Sequence, residues 1–402
     1  MKKIITFIII ILFCLIPIKI NSKKLSTNEK IEDFNLLYKT IKDNYPFLDV
    51  NKRVYGIDWL ADYDNTIQKI KLTKNDLEFF DVLDLSLKNL NNSHTKILTS
   101  DEVNTFLQLY SKNENTWQYK IIKPVLDNKK VLKRYNIDNS NIEKETPANM
   151  NISIINMSTK DIVSNKIGYI SIPMMLSLDF IERDNQILNK YLPNIKDYQA
   201  LIIDIRGNIG GDSRYWSEFL LPKIINKSYT TSNYKFWKNG DLLNKFFKAS
   251  EVLKEADSGK VAELDSSSLV NLPNEIFKEF EYYLKFDTKI NPNKDSIKFA
   301  GNIYLLIDKY VYSSAESFAS FSQNSNFATL IGEKTGGDGL GSDPLFVMLP
   351  NSNFVFKFSK DMAVDSTGKC NEEFKTLPHY EISQNLFEDL AIQKVLELEN
   401  IK

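Results

Sequence analysis

The chain is poor in cysteine and histidine: of 402 residues, two are Cys and two are His. Cys14 lies within an N-terminal apolar run, so the rest of the chain carries one thiol, Cys370, and cannot close an internal disulfide. Stability must therefore come from an apolar core, and Cys370 reads as a structural thiol. The same scarcity argues against a zinc site of His and Cys ligands, and leaves His94 or His379 as the only source of an imidazole base. Net charge is also lacking. With 51 Lys and Arg against 52 Asp and Glu, no field exists to draw in nucleic acid.

What is present begins at the N-terminus. Lys2 and Lys3 precede residues 4–18, which are apolar apart from Thr6, and a mostly polar stretch follows over 19–24. This predicts a targeting segment over residues 1–22, either a signal peptide or an uncleaved membrane anchor. The fold proper is expected outside the cytoplasm, secreted or held at the cell surface.

Ser26 and Glu29 then read as a capping box, followed by Phe34, Leu37, Tyr38, Ile41 and Tyr45 at helical spacing. Thr73 and Asp76 read as the cap of a second helix with Leu77, Phe80, Leu83 and Leu87. Residues 26–100 are thus expected to form a small helical domain. Residues 101–165, polar and poorly periodic, read as a linker region with some β structure, at 119–122 and 152–155.

Residues 166–402 carry a different pattern. Ala200, Leu201, Ile202 and Ile203 end in Asp204 and then Gly207, Gly210 and Gly211, as expected of a buried strand stopping at a functional edge. Residues 302–307 repeat the pattern and lead through a turn into a helix with Ala315, Phe318 and Ala319. Alternating strands and helices predict an α/β core. A lysine-rich insertion over 223–298 reads as helices without a strand, placed as a cap or lid.

Three motifs carry chemistry. In Tyr312, Ser313, Ser314, Ala315, Glu316 a hydroxyl projects from a strand-to-helix turn, where free helix N–H groups can stabilise an oxyanion; a helix cap, with Glu316 closing a capping box, is the alternative. The glycines of 204–211 let backbone approach a substrate closely; a simple turn is the alternative there. His94 is flanked by Ser93 and Thr95, which are able to orient an imidazole.

Together with the Gly332 to Gly337 segment, Glu372 and Pro378, these motifs resemble the C-terminal processing (tail-specific) and tricorn-type serine peptidases, without a recognisable PDZ domain. The resemblance implies a crotonase-like α/β peptidase core and a peptide or protein substrate, with no metal or organic cofactor. It also implies Ser313 as nucleophile, His94 of the Ser93–His94 pair as general base, and Glu372 as the late glutamate. Backbone N–H groups of Ser314 and of Gly210 or Gly211 would form the oxyanion hole. Members with a serine–lysine dyad carry their lysine where this chain has Asp338, so Asp338 is expected to be dispensable and Lys334 to be a surface residue. A non-catalytic ligand-binding protein of the same architecture and an esterase-type acyl hydrolase remain alternatives.

Overall fold

The structure is a computed structural model that describes residues 24–138, 156–383 and 388–401. The expected targeting segment and the expected strand at 152–155 lie outside these residues. Helix Thr27–Asn44 starts at the expected capping box: Ser26 Oγ accepts from Glu29 N–H, and Glu29 reaches back to Ser26 N–H. It buries Phe34, Leu37 and Ile41 on one face. Helix Asp76–Lys88 is capped by Asn75, between the expected Thr73 and Asp76, because Asn75 Oδ1 accepts from Glu78 N–H at 2.9 Å. A turn follows, leading into the two-residue strand β1 (Lys96–Ile97).

The expected linker is helical from 101 to 135 and carries a strand at Ser158–Val163, so β structure is present but not at 119–122. Helix Ser100–Tyr110 begins with a capping box of Thr99 and Glu102 and buries Val103, Leu107 and Tyr110 at helical spacing. Residues expected as a strand at 119–122 fall in and just after helix Trp117–Ile121, whose N-terminus is capped by Thr116. Periodicity was hidden by the shortness of the helices, and local capping decided their form.

Strands β2 (Ser158–Val163), β3 (Ile167–Ser171) and β4 (Ala200–Asp204) open the α/β core, with helix Glu182–Ile195 between the last two. The insertion differs from expectation. Helix Asp241–Ser250 is there, but β5 (Tyr229–Trp237), β6 (Ser258–Lys260) and β7 (Tyr282–Ile290) are strands, and β5 and β7 pair antiparallel from Tyr229↔Ile290 to Trp237↔Tyr282. Their Thr and aromatic residues favour a pleated surface, while the interspersed Lys, Asp and Asn mask the apolar signal.

The chain then returns to the core through β8 (Asn302–Ile307), helix Ser314–Asn324 and β9 (Thr329–Gly332). Short strands β10 (Leu345–Met348), β11 (Val355–Phe358), β12 (Met362–Asp365) and β13 (Tyr380–Glu381) follow, then helix Leu390–Leu398. The central sheet has the order β13-β9-β8-β4-β3-β2, parallel except for β2. β12 joins the insertion sheet, and β1, β11 and β10 form a third.

Alternation places Leu201, Ile203, Leu305 and Ile307 in one core cluster and Ala200, Ile202 and Leu306 in another, under Ala391 and Val395 of the last helix. A strand covered on both faces reads as an unbroken apolar run, and β4 does. The N-terminal helices, the insertion sheet and β10 to β12 share a further core. They are not packed as a separate helical unit.

Phe318 is fully buried on the helix that follows Ser313, with its ring 5.5 Å from Trp216 and 6.2 Å from Phe327. Phe318→Ala is expected to lower stability by about 3–5 kcal/mol, measured by chemical denaturation. A loss below about 1 kcal/mol would show that this layer can collapse around the vacancy.

Candidate active site

Two parallel strands deliver the site. β4 ends in the Asp204 to Gly211 loop, and the neighbouring β8 ends in the turn that carries Ser313. Ser313 has φ 55 and ψ −124, a left-handed backbone rarely adopted outside glycine. That conformation costs on the order of 1–3 kcal/mol and turns the hydroxyl away from its own helix. Ser313 makes no side-chain capping bond. Glu316 closes no capping box either, since its Oε1 accepts from Asn371 Nδ2 and Thr376 Oγ1, each at 2.7 Å.

The Ser313 hydroxyl instead faces His94, with Oγ 3.2 Å from Nε2. The other ring nitrogen, Nδ1, is 2.8 Å from Asp338 Oδ2. The ring also lies 5.0 Å from that of Tyr312. Positions 94, 313 and 338 thus form one continuous hydrogen-bonded line, although 219 and 244 residues separate the partners.

Asp338 is the correction to the sequence reading. Far from being peripheral, its buried Oδ2 also accepts from Asn92 Nδ2 at 2.7 Å and from Ser359 Oγ at 3.1 Å. Burial alone would raise its carboxyl, but the charge and hydrogen bond of His94, with Asn92 and Ser359, outweigh it and hold the pKa below the ordinary value. Its setting in the Gly336-Gly337-Asp338-Gly339 run was the overlooked signal. A carboxylate in a glycine turn can be brought against a distant ring.

The other expected residues fall in different places. Glu372 does not touch His94; its Oε1 accepts from Asn92 Nδ2 at 3.1 Å, and burial followed by the charge of Asp338 raises its carboxyl well above the usual range. Ser93 is exposed and lies outside the hydrogen-bonded set. His379 Nδ1 accepts from the Leu330 N–H at 2.9 Å beside the central sheet. Cys370 is fully buried, and burial pushes its thiol well up.

Gly210 packs against the Ser313 turn so closely that a Cβ there would stand 2.8 Å from Ser313 Cβ and 3.0 Å from Ser314 N. Its own N–H is committed to Asn208 Oδ1 at 2.9 Å, which removes it from the expected oxyanion donors. Gly211, at φ +134, lies so near Met175 that a Cβ would come within 1.9 Å of its carbonyl oxygen. Among the described residues, the N–H groups of Gly211 and Ser314 have no acceptor.

Residues 166–382 match the family model described as Peptidase family S41. No curated protein matches the sequence. Among solved structures, a putative peptidase from Parabacteroides merdae superposes with a TM-score of 0.58 at 19% identity, covering 92% of this chain and 96% of that one. Mature CPAF superposes with a TM-score of 0.55 at 15% identity, covering 88% and 92%. At these identities the likeness is one of fold.

Glu316 gives the site's surroundings a pH signature. Burial raises its carboxyl from 4.5 to about 7. Between those values the unfolded chain has released a proton that the folded chain still holds, so stability falls as pH rises through this window. The loss amounts to about 3 kcal/mol. Glu316→Gln, which cannot ionise, is expected to flatten stability between pH 5 and 7.5 in denaturant titrations, whereas an unchanged slope would place the titrating group elsewhere.

Proposed function

The chain belongs to peptidase family S41 and is a serine-type peptidase, and we propose that it cleaves peptide bonds through an acyl-enzyme formed on Ser313. The observation that carries this reading is the line from Ser313 Oγ through His94 to Asp338. His94 Nε2 takes the hydroxyl proton as Oγ attacks the carbonyl carbon, then returns it to the leaving amine. Water then attacks the acyl-enzyme by the same route and frees Ser313. Asp338 accepts from Nδ1–H, which keeps the lone pair on Nε2 and stabilises the imidazolium that forms. The uncommitted N–H groups of Gly211 and Ser314 are the donors to the developing oxyanion.

Glu372 then supports the site through Asn92 instead of acting on the substrate, and Ser93 takes no part in this mechanism. The parallel run β3, β4, β8 and β9, with the nucleophile at the C-terminal end of β8, favours a crotonase-like reading of the core. The substrate is a peptide or protein, and no step of this mechanism calls on a metal or organic cofactor. The lysines and apolar run before residue 19 support a site of action outside the cytoplasm. No helix among the described residues is long and apolar enough to cross a membrane.

Ser313→Ala is expected to abolish covalent labelling by a fluorophosphonate and all peptide turnover in a folded protein, while Ser314→Ala keeps both, since only its backbone N–H is used. His94→Ala should remove nearly all turnover. Asp338→Asn should lower kcat about 10³- to 10⁴-fold, as loss of the acid behind the base does in other serine peptidases. Mapping of the adduct to Ser314, or an Asp338→Asn enzyme within tenfold of the wild type, would overturn these roles.

A further inference from the structure

Asn92 is 5% exposed and sits between the two carboxyls nearest His94. Its amide nitrogen donates to Asp338 Oδ2 at 2.7 Å and to Glu372 Oε1 at 3.1 Å. Its amide oxygen accepts from Thr95 Oγ1 at 3.0 Å, and Ser359 Oγ, 3.2 Å away, shares its one hydrogen between this oxygen and Asp338 Oδ2. Both amide hydrogens are therefore used. The orientation is locked, because a flipped amide would aim its oxygen at two carboxyls and its hydrogens at two hydroxyls. The Asn92 backbone carbonyl also accepts from Thr95 N–H at 3.0 Å, closing the turn that carries His94.

The two carboxyls joined by this amide are not equivalent. Asp338 faces His94, Tyr312, Ser359 and Asn92, each with a hydrogen to offer. Glu372 has Asn92 on one oxygen, while its buried Oε2 has no hydrogen-bond partner; besides Asp338, the ionisable groups near it are Lys375, Tyr45, Tyr312, Glu316 and Cys370. Two adjacent buried negative charges would repel strongly, so the pair holds one charge. Donor number favours Asp338 as its seat.

We propose that Asn92 is a positioning residue of the peptidase site, whose locked amide holds the Asp338 carboxyl opposite His94 Nδ1 and ties it to Glu372. The proposal rests on the assignment of His94 as general base. It gives Asn92 a task that touches neither substrate nor nucleophile and that packing alone does not perform.

The test is the pH dependence of kcat/KM for a fluorogenic peptide, read for two variants. Asn92→Asp is nearly isosteric, but the repulsion that leaves the native pair one charge keeps a third carboxyl protonated there, with one hydrogen to offer where the amide has two. That hydrogen cannot serve both acids, so Asp338 holds the charge less firmly and the acidic limb should move to lower pH. Asn92→Leu removes a donor from Asp338 and loosens its hold on the charge, so the acidic limb should move to lower pH, with kcat down about 10- to 100-fold and KM nearly unchanged. Should Asn92→Leu fail to fold, Asn92→Asp decides alone. Wild-type pH profiles in the folded variants, whatever their amplitude, would reduce Asn92 to a packing residue and overturn the proposal. Failure of the underlying reading looks different: the wild-type enzyme would then take no label on Ser313.

Discussion

One buried negative charge organises this molecule. The Asp338 carboxyl has been taken out of water, and an isolated carboxylate there would be far too costly to remain ionised. It is tolerated because hydrogens converge on it from Asn92 and His94, from Tyr312 beside the nucleophile, and from Ser359 after β11. Those donors come from segments hundreds of residues apart. Placing them around one oxygen therefore requires the N-terminal helices, the central sheet and the short β1-β11-β10 sheet to be packed together at once. The core shared by the N-terminal helices, the insertion sheet and β10 to β12 likewise builds the region holding His94 into the region holding Ser359.

The second constraint is backbone proximity. Ser313 can present its hydroxyl only from a left-handed turn, and that turn can sit beside the β4 loop only if position 210 has no side chain. The strain at Ser313 and the glycine opposite it solve one problem. A helix N-terminus has to come close to a second strand end so that free N–H groups and a hydroxyl meet at one point. A serine kept as an ordinary helix cap would have spent its oxygen on its own backbone.

Much of this was legible in the sequence, for reasons specific to each element. The buried strands β4 and β8 announced themselves because strands covered on both faces need consecutive apolar residues. Ser313 and His94 stood out because so few histidines were available and the turn motif is distinctive. The insertion sheet was not legible, since Asn233 and Lys235 within β5, and Lys285, Asp287 and Lys289 on the exposed positions of β7, break the apolar pattern that pairing would otherwise reveal. The helices of residues 100–135 were missed because each is short and held by caps and by tertiary burial, and little of that is periodic. Asp338 was misjudged on different grounds. The family pattern offered a lysine at that position, and an acid in its place looked like an absence instead of a different partner for a histidine.

That misjudgement shows how the two solutions exclude each other. A lysine serving as base must be neutral, so its site has to repel positive charge or deny it solvent. A histidine base gains from the opposite setting, a fixed negative charge behind it to steady the imidazolium. The surroundings of position 338 are of the second kind: Asn92, Ser359 and Tyr312 all offer hydrogens, which suit an anion and would clash with an ammonium. Glu372 lies within the same network but shares only the Asn92 donor, and burial followed by the charge of Asp338 raises its carboxyl well above the usual range. Of two acids within reach of one amide, Asp338 has the setting better suited to an anion behind His94, and the chain positions that acid with glycines and not with a regular element.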